Sequence, residues 1–208
     1  MTIQWPELFF IRHGQTDWNA EGRYQGARDI PLNLTGRAQA DANGVLLRDL
    51  LARDTRDPGE FAWYSSPLDR TRETMLRVRR AFDPEPPSVT YDPRLIEISF
   101  GELEGCLHSE LPPHIMAAPG ERDAAFWSFR PEKGENYDDL MHRITDFARE
   151  LTGPSVIVAH GGVLRMLRHL IEGAGRVEVI NWFPPQDAVV HFNSGRMTVY
   201  PATSNRDD

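Results

Sequence analysis

The chain has 208 residues, of which 40% are hydrophobic and 26% are charged, proportions that are usual for a globular protein. Its formal net charge of −8 disfavours general binding to nucleic acid or to an anionic membrane, so we expect neither as a partner. The single cysteine, Cys106, excludes an internal disulfide. No apolar run has the length of a transmembrane helix and the first apolar segment is too short for a signal peptide, so we expect a soluble cytoplasmic protein.

The first half of the chain predicts strands that alternate with helices. Short runs rich in aromatic and β-branched residues predict strands at residues 7–11, 61–65 and 88–92. A helix is predicted over residues 34–53 with Thr35 as its N-cap, and a second helix follows Ser66, the expected N-cap, with Pro67 in its first turn. The apolar stripe of the first helix is expected to consist of Ala38, Ala42, Val45, Leu46 and Leu50.

The second half resumes this alternation after a segment rich in proline, glycine and acidic residues that runs from Ile98 to about Asn136. Helices are predicted at residues 137–151 and 161–173, and an almost wholly apolar strand lies between them at 155–159. Two further strands, at 187–192 and 196–201, are predicted to form a closing hairpin. Strands that alternate with helices predict an α/β fold. We expect a single domain over residues 1–208, with three α/β/α layers, a mostly parallel central sheet and an inserted, lid-like segment at about 103–135.

Basic side chains follow three of the predicted strands, at the point where each strand ends. Arg12 and His13 come directly after the first strand, and His160 ends the strand at 155–159. Arg70 lies in the first turn of the helix that follows the second strand. Because ligands bind beyond the carboxyl ends of parallel strands, these side chains are candidates for one binding site.

Each of these residues also has a purely structural interpretation. Arg70 could lie on a solvated helix face, where Asp69 and Glu73 could pair with it. His160 could be a hydrogen-bonded histidine of the core. Two glycines follow it, however, and they permit a ligand to approach the backbone at the start of a helix.

Two arginines, two histidines and a helix N-terminus at one edge of a sheet form a pocket suited to a doubly charged oxyanion. Phosphate is the expected ligand, because guanidinium groups bind its oxygens in pairs. A histidine in such a pocket can act as a nucleophile as well as a proton carrier. The residues therefore indicate chemistry on a phosphoryl group.

Five segments, in the same order, resemble the characteristic blocks of the histidine phosphatase superfamily, whose members have a phosphoglycerate-mutase-like fold. They are FFIRHGQTDWNAEGRYQGARDIPLNLTGRAQA, YSSPLDRTRET, LIEISFGELEG, KGENYDDLMHRI and VIVAHGGVLRMLRHLI. The resemblance covers residues 8 to about 172 and is interrupted mainly at 106–131. Leu103 departs from the pattern, since relatives usually carry tryptophan at this position.

The resemblance implies a role for ten residues. His13 would be the nucleophile that becomes a phosphohistidine, and Glu97 would be the acid that protonates the leaving alkoxide. The residues implied to bind the phosphoryl oxygens or to border the substrate are Arg12, Arg70, His160, Asn19, Thr16, Gly161, Gln25 and Gly26. Of the four acidic residues that lie close together in this region, Glu97, Glu102, Glu104 and Glu110, the alignment of the blocks favours Glu97.

Within this family we expect hydrolysis rather than isomerisation, and we expect it to need neither a metal nor a cofactor. The expected substrate is a small phosphorylated metabolite, such as a sugar phosphate, phosphoglycerate or ribazole phosphate, and a homodimer is compatible with the family. A phosphoglycerate-type mutase is the main alternative within the family, although the block EISFGELEG carries no arginine or tyrosine for a substrate carboxylate. A metal-dependent hydrolase and a non-catalytic module that recognises phosphate are the alternatives outside it.

The remaining histidines and the aromatic residues of the insert are given structural roles. His108 and His114 are expected at the surface of the insert. Phe126, Trp127 and Phe129 are expected to anchor the insert to the core, with lining of the substrate site as the alternative.

Overall fold

The computed structural model describes residues 4–110 and 124–202. The strands are β1 Leu8–Arg12, β2 Ala62–Ser65, β3 Val89–Tyr91, β4 Ser155–Ala159, β5 Ala188–Asn193 and β6 Arg196–Pro201. The helices are α1 Asp17–Glu21, α2 Leu34–Arg53, α3 Asp69–Arg79, α4 Ala124–Ser128, α5 Tyr137–Ala148, α6 Gly161–Glu172 and α7 Arg176–Asn181. Short 3₁₀ turns occur at Pro58–Glu60, Pro93–Leu95, Gly101–Leu103 and His108–Glu110.

The six strands form one mixed sheet in the order β3-β2-β4-β1-β5-β6. The first four strands in this order are parallel, and the hairpin of β5 and β6 adds to the edge of β1 in antiparallel orientation. In the centre, Arg12 of β1 lies opposite Ala159 of β4. This register brings the residues that follow the two strands, His13 and His160, to the same edge of the sheet.

Helices cover both faces of the sheet, because successive side chains of a strand point to opposite sides. Phe9 and Ile11 of β1 pack in one core cluster with α2 and α3, together with Val156 and Val158 of β4. Leu8, Phe10, Ile157 and Ala159 belong to a second cluster with α5, α6 and α7. Burial on both faces explains why the sequences of β1 and β4 are almost wholly apolar. The predicted single α/β domain with a mostly parallel sheet is confirmed.

The N-caps of the two helices that cover the first face differ from the prediction. The N-cap of α2 is Asn33 rather than Thr35. In α3 the N-cap position is occupied by Leu68, which forms no side-chain cap hydrogen bond. The hydroxyl of Ser66, the predicted cap, lies instead 2.8 Å from Nε2 of His160. Ser66 therefore contacts a predicted site residue and is not the N-cap of α3.

The buried face of α2 shares only Leu50 with the predicted stripe. Ala38 and Val45 are not buried, whereas the buried residues are Gly36, Ala40, Asn43, Gly44, Leu47, Leu50 and Leu51. At Gly44 a Cβ atom would lie 2.8 Å from the carbonyl oxygen of Val78 in α3. The two helices therefore touch through their backbones, a contact that a search for large apolar residues does not detect.

Three helices, α1, α4 and α7, are absent from the sequence prediction. They have five or six residues each, which is too short for a periodic apolar pattern to be recognised. Helix α5 ends at Ala148, before the predicted end at residue 151. None of the described helices is long and apolar enough to cross a membrane.

The segment rich in proline and glycine is closed by contacts between its two ends. The backbone N–H of Glu135 donates to the carbonyl of Ser99 at 2.8 Å. Gly101 has a φ of +53°, and a Cβ atom there would lie 2.0 Å from the carbonyl oxygen of Glu132, so glycine is required for this approach. The boundaries predicted for the insert, 103–135, stay a prediction because part of the insert lies outside the described residues.

Aromatic residues at the end of the insert belong to the core, as predicted. Phe126 and Trp127 are buried, while Phe129 is partly buried against the same cluster. The indole N–H of Trp127 donates to Asp138 at 2.8 Å, and its ring stacks on Tyr137 with centroids 5.3 Å apart. His114 lies outside the described residues.

Candidate active site

A cleft opens at the carboxyl ends of β1 and β4, and most of the predicted site residues line it. With its open mouth, and the solvent in it, the cleft has a volume of about 650 Å³. The predicted residues in its wall are Arg12, His13, Asn19, Gln25, Gly26, Arg70, Glu97 and Gly161. His160 and Thr16 do not line the cleft and lie fully buried behind it.

His13 is buried at the base of the cleft and is held in one tautomer. Its Nδ1 lies 2.7 Å from the carbonyl oxygen of Gly14, which can only accept a hydrogen bond, so the neutral ring carries its proton on Nδ1. Nε2 on the other side of the ring makes no hydrogen bond to the described residues and keeps its lone pair. Burial, and then the charges of Arg70 and Arg12, lower the pKa of His13 well below its ordinary value. The ring is therefore neutral at physiological pH and presents a nucleophilic nitrogen.

His160 packs directly behind His13, with ring centroids 5.1 Å apart. Its Nε2 contacts the hydroxyl of Ser66 at 2.8 Å, whereas Nδ1 is buried and has no hydrogen-bond partner among the described residues. Burial and the charge of Arg70 lower the pKa of His160 well below its ordinary value as well. An unsatisfied ring nitrogen in the histidine next to His13 is a position where a ligand oxygen or a water molecule would complete the hydrogen bonding.

Two guanidinium groups flank His13. Arg12 donates from Nη1 to the carbonyl of Pro184 at 2.7 Å, and its Nε has no partner among the described residues. Arg70 is fully buried and donates to the carbonyls of Arg28 and Gly26 at 2.5 and 2.8 Å. Burial lowers the pKa of each arginine to about 10, so both stay charged at neutral pH. Fixed cations beside a neutral histidine are suited to stabilising the charge of a phosphoryl group.

Gln25 and Gly26 contact Arg70, and Thr16 contacts Gln25. When the amide oxygen of Gln25 faces Arg70, it accepts from Nε at 2.7 Å, and the amide nitrogen donates to the Thr16 hydroxyl at 2.5 Å. Thr16 is also the N-cap of α1, where its hydroxyl accepts from the backbone N–H of Asn19. The structure therefore places Thr16 one contact away from the cleft, beneath a residue that orients a guanidinium group.

Asn19 reaches the cleft from α1 and is oriented by its amide oxygen. That oxygen accepts from the backbone N–H of Thr16 at 3.2 Å and from Nε2 of Gln186 at 3.0 Å. The same Gln186 nitrogen contacts the carbonyl oxygen of His13 at 3.1 Å. Because the oxygen is occupied, the amide nitrogen of Asn19 is left as the donor for a ligand.

Glu97 is attached to the start of α6. Its two carboxylate oxygens accept from the backbone N–H of Gly162 at 2.9 and 3.1 Å, and Oε1 also accepts from the N–H of Ile98 at 3.0 Å. Arg143 holds the backbone below it by donating to the carbonyl of Glu97 at 3.1 Å. The helix N-terminus is thus partly occupied by the carboxylate, while the neighbouring Gly161 lines the cleft.

The other three acidic residues of this region have structural contacts. Glu104 accepts from the backbone N–H groups of Ala27 and Phe100 and is nearly buried. Glu102 pairs with Lys133 at the surface, and Glu110 accepts from the backbone N–H of Leu107. Glu97 is the member of the group that lines the cleft, in agreement with the sequence prediction.

Several residues that sequence reasoning missed also line the cleft: Arg23, Tyr24, Ile98, Phe100, His108, Tyr137, Arg165, Phe183 and Pro184. His108 packs at a tilt against Tyr24, with ring centroids 4.2 Å apart, and is partly buried, so its predicted role at the surface of the insert stays a prediction. Arg165 follows Gly161 by four residues, and helical spacing alone could have placed both on one face of α6. The contributions of Arg23 and Phe183 depend on loop paths and have no comparable signal in the sequence.

No group of three or more His, Cys, Asp or Glu side chains in the described ranges, 4–110 and 124–202, is arranged to hold a metal ion. The two guanidinium groups at the base of the cleft would also repel a cation. The absence of a metal from the reaction stays a prediction.

Comparison with known proteins supports the same chemistry. The sequence model of the histidine phosphatase superfamily (branch 1) matches residues 8–198. Over 174 residues the chain is 36% identical to a metal-independent phosphoserine phosphatase of Arabidopsis thaliana, a match that covers 77% of this chain and 66% of the relative. Over 191 residues it is 34% identical to a glucosyl-3-phosphoglycerate phosphatase of Mycolicibacterium vanbaalenii, a match that covers 84% of this chain and 76% of the relative.

A solved structure of a phosphoglycerate mutase from Thermus thermophilus has a TM-score of 0.72 and 32% identity, over 95% of this chain and 99% of that one. These similarities support a phosphatase or mutase activity. The match of the family model over almost the whole chain, the order of the blocks and the geometry of the cleft agree with one another. The chain belongs to the histidine phosphatase superfamily, branch 1.

Proposed function

We propose that the protein hydrolyses phosphate monoesters of small metabolites through a covalent phosphohistidine on His13, without a metal or a cofactor. The observation that carries this proposal is the state of His13, a neutral ring with its proton on Nδ1 and a bare Nε2 between Arg12 and Arg70. A module that only recognises phosphate would have no need for a histidine kept neutral among cations. The names of the phosphatase relatives support the same choice.

In the first step Nε2 of His13 attacks phosphorus and the bond from phosphorus to the ester oxygen breaks. Arg12, Arg70, His160 and the amide of Asn19 surround the phosphoryl oxygens, where fixed donors stabilise the charge of the transition state. The proton of the Glu97 carboxyl group passes to the leaving alkoxide, which departs as an alcohol.

In the second step a water molecule attacks the phosphohistidine. The carboxylate of Glu97 takes one proton of this water, and the bond between phosphorus and Nε2 breaks as inorganic phosphate forms. His13 regains its lone pair and Glu97 regains the proton that it gave to the alcohol. The net reaction consumes one ester and one water and yields one alcohol and one phosphate.

A mutase is the second candidate, and one observation favours it. The cleft contains Arg23 and Arg165 in addition to the two guanidinium groups at its base, and a mutase needs cations for the remaining groups of its substrate. A mutase must also keep water from the phosphohistidine. Release of inorganic phosphate from 3-phosphoglycerate distinguishes hydrolysis from isomerisation, and full activity in EDTA would support the absence of a metal. A cytoplasmic location and a homodimer stay predictions.

The nucleophile is tested by rapid quenching with a ³²P-labelled substrate at neutral pH. Label should appear on His13, and His13→Ala should abolish it. His142→Ala is the matched control, because His142 is exposed on α5 and should leave the label unchanged. Label on a carboxylate or a serine would refute the scheme.

The acid is tested by comparing two leaving groups. Glu97→Gln should slow hydrolysis of an alkyl phosphate by about 10²- to 10⁴-fold while p-nitrophenyl phosphate, whose leaving group needs no proton, changes far less. Glu102→Gln, a change of the same kind at the surface pair with Lys133, should change neither rate. Equal losses for both substrates in Glu97→Gln would remove Glu97 from the acid role.

A further inference from the structure

Ser66 is a fully buried hydroxyl beside the candidate site, and the proposed reaction assigns it no role. It follows β2 directly, and its backbone N–H donates to the carbonyl of Val158 in β4 at 3.1 Å. His160 follows the last residue of β4. Because β2 and β4 are parallel neighbours, their ends meet at one edge of the sheet, and the hydroxyl of Ser66 lies 2.8 Å from Nε2 of His160.

The position of this hydroxyl is fixed by the fold before any ligand binds. The carbonyl of Ser66 accepts from the hydroxyls of Ser65 and Thr71 at 3.0 and 2.9 Å, and these bonds hold its backbone in place. Ser66 and His160 are both fully buried, so bulk water does not compete for their contact. Hydrogen bonds of this kind orient a side chain that acts on a ligand through another residue.

The surroundings of the Ser66 oxygen determine which group donates. The backbone N–H of Leu68 donates to this oxygen in a long contact of 3.5 Å. Nε2 of His160 is then the acceptor for the hydroxyl proton among the described residues. Burial lowers the pKa of His160 well below its ordinary value, so the ring is neutral and carries one N–H. With Nε2 as the acceptor, that N–H is on Nδ1.

Nδ1 is the ring nitrogen of His160 that remains for a ligand. It is buried and has no hydrogen-bond partner in the described part of the chain. The ring packs edge-on against that of His13, with centroids 5.1 Å apart, and the charges of Arg70 and Arg12 act on it. A protonated Nδ1 can donate to an anionic oxygen held beside His13, whereas a bare Nδ1 would present a lone pair that repels it.

We propose that Ser66 is a positioning residue, whose hydroxyl donates to Nε2 of His160 and thereby keeps Nδ1 protonated as a hydrogen-bond donor to a phosphoryl oxygen. This inference rests on the proposed function for the placement of the phosphoryl group at His13. The two histidines then have the same tautomer and opposite tasks, since His13 attacks with a bare Nε2 and His160 donates from Nδ1. Ser66 occupies the lone pair of His160, so the proton of the attacking water is left to Glu97.

The tautomer is tested by ¹H–¹⁵N NMR on the full-length protein with ¹⁵N-labelled histidine. The signals of His160 are identified by nuclear Overhauser contacts to Ser66 and by their loss in His160→Gln. The wild type should show a proton on Nδ1 and a bare Nε2, and saturation with inorganic phosphate should shift the Nδ1 proton signal. Ser66→Ala should move the proton wholly or partly to Nε2. A proton on Nε2 in the wild type would overturn the proposal, whether or not the variant folds.

The consequence for catalysis is tested with two leaving groups. Ser66→Ala should lower kcat/KM by about 10- to 100-fold, equally for an alkyl phosphate and for p-nitrophenyl phosphate, because a donor to the phosphoryl oxygens acts whatever the leaving group. Ser66→Thr, which keeps the hydroxyl, should restore the tautomer and most of the rate. Ser65→Ala is the matched control, because it removes a buried hydroxyl that bonds to the carbonyl of Ser66, and it should retain the wild-type tautomer.

Three results in the variants would refute the role of Ser66. They are a wild-type rate in Ser66→Ala, a lower rate with an unchanged tautomer, and a loss confined to the alkyl phosphate. Failure of the proposed function looks different, because a wild type that releases no phosphate from any substrate contradicts hydrolysis and leaves the spectra to test Ser66. In that case a shift of the Nδ1 proton on adding inorganic phosphate, abolished in Ser66→Ala, would support the proposal, and unchanged signals at saturating phosphate would refute it.

Discussion

Replacing Gly162 by alanine should displace the carboxylate of Glu97 while leaving the rest of the cleft in place. A Cβ atom at residue 162 would lie 2.3 Å from Oε1 of Glu97, far inside van der Waals contact. The backbone N–H of Gly162 donates to both carboxylate oxygens, so the displaced side chain also loses these bonds. The helix itself accepts alanine, because the crowding comes from one flexible side chain and from Leu140 Cδ2 at 3.2 Å.

The expected effect is large on the rate and small on the stability. Loss of a correctly placed general acid costs about 10²- to 10⁴-fold for a poor leaving group. The lost hydrogen bond to a charged group costs roughly 1.5–3 kcal/mol, but alanine in a helix returns about 1 kcal/mol and the displaced carboxylate is solvated in the open cleft. We therefore expect the free energy of unfolding to change by no more than about 1–2 kcal/mol.

The assay measures kcat/KM for an alkyl phosphate and for p-nitrophenyl phosphate, together with a urea unfolding curve. The ratio compared is kcat/KM for the alkyl phosphate divided by kcat/KM for p-nitrophenyl phosphate. Gly162→Ala should lower this ratio toward the value found for Glu97→Gln. Gly161→Ala is the matched control, because a Cβ atom there would lie 3.4 Å from Nε of Arg12 and 3.8 Å from Oε2 of Glu97, which are ordinary contacts. Since Gly161 lines the cleft, this control can lower both rates, but it should keep their ratio.

Two results would refute the reasoning. An equal loss for both substrates in Gly162→Ala would mean that the residue acts through phosphoryl binding rather than through the acid. If the Gly162→Ala variant is folded and keeps the wild-type ratio of the two rates, protonation of the leaving group does not depend on the position of Glu97.

Two further predictions concern stability. Gly44→Ala should destabilise the fold by about 1–3 kcal/mol despite its better helix propensity, because the new Cβ meets the backbone of Val78, which cannot turn aside; an unchanged urea midpoint would contradict this. His13 has a lowered pKa in the folded state, so below about pH 6.5 the unfolded chain binds a proton that the folded chain does not, and stability falls as pH falls. Between pH 7 and pH 5 this loss should reach up to about 2 kcal/mol, and His13→Gln should remove it; an equal pH dependence in both proteins would show that His13 is not kept neutral by the fold.

The layer structure could be predicted from the sequence because it depends on local patterns. The apolar runs of β1 and β4 are long enough to be recognised and are typical of strands buried on both faces. Gly173 ends α6 with a φ of +70°, as a glycine at that position predicts. Neither the N-cap at Asn33 nor the buried face of α2 follows from such patterns, because neighbouring elements decide them.

The same division applies to the site. Arg12, His13 and His160 were predictable because they follow apolar strands directly, and strand ends meet at one edge of a parallel sheet. Arg70 was ambiguous in the sequence, where an arginine-rich helix offers a solvated face as the simpler explanation. Its complete burial and its bonds to the carbonyls of Arg28 and Gly26 decide the question, and both depend on a loop that is distant in sequence.

By itself, then, the sequence determined the order of the elements, the family resemblance and the residues that meet at the base of the cleft, since all of these are properties of short segments. Only the tertiary structure decided the tautomer and neutrality of His13, the attachment of Glu97 to Gly162 and the burial of Arg70. The physical reason is that protonation and charge compensation depend on burial and on partners far along the chain. Such partners come together only when the layers have packed.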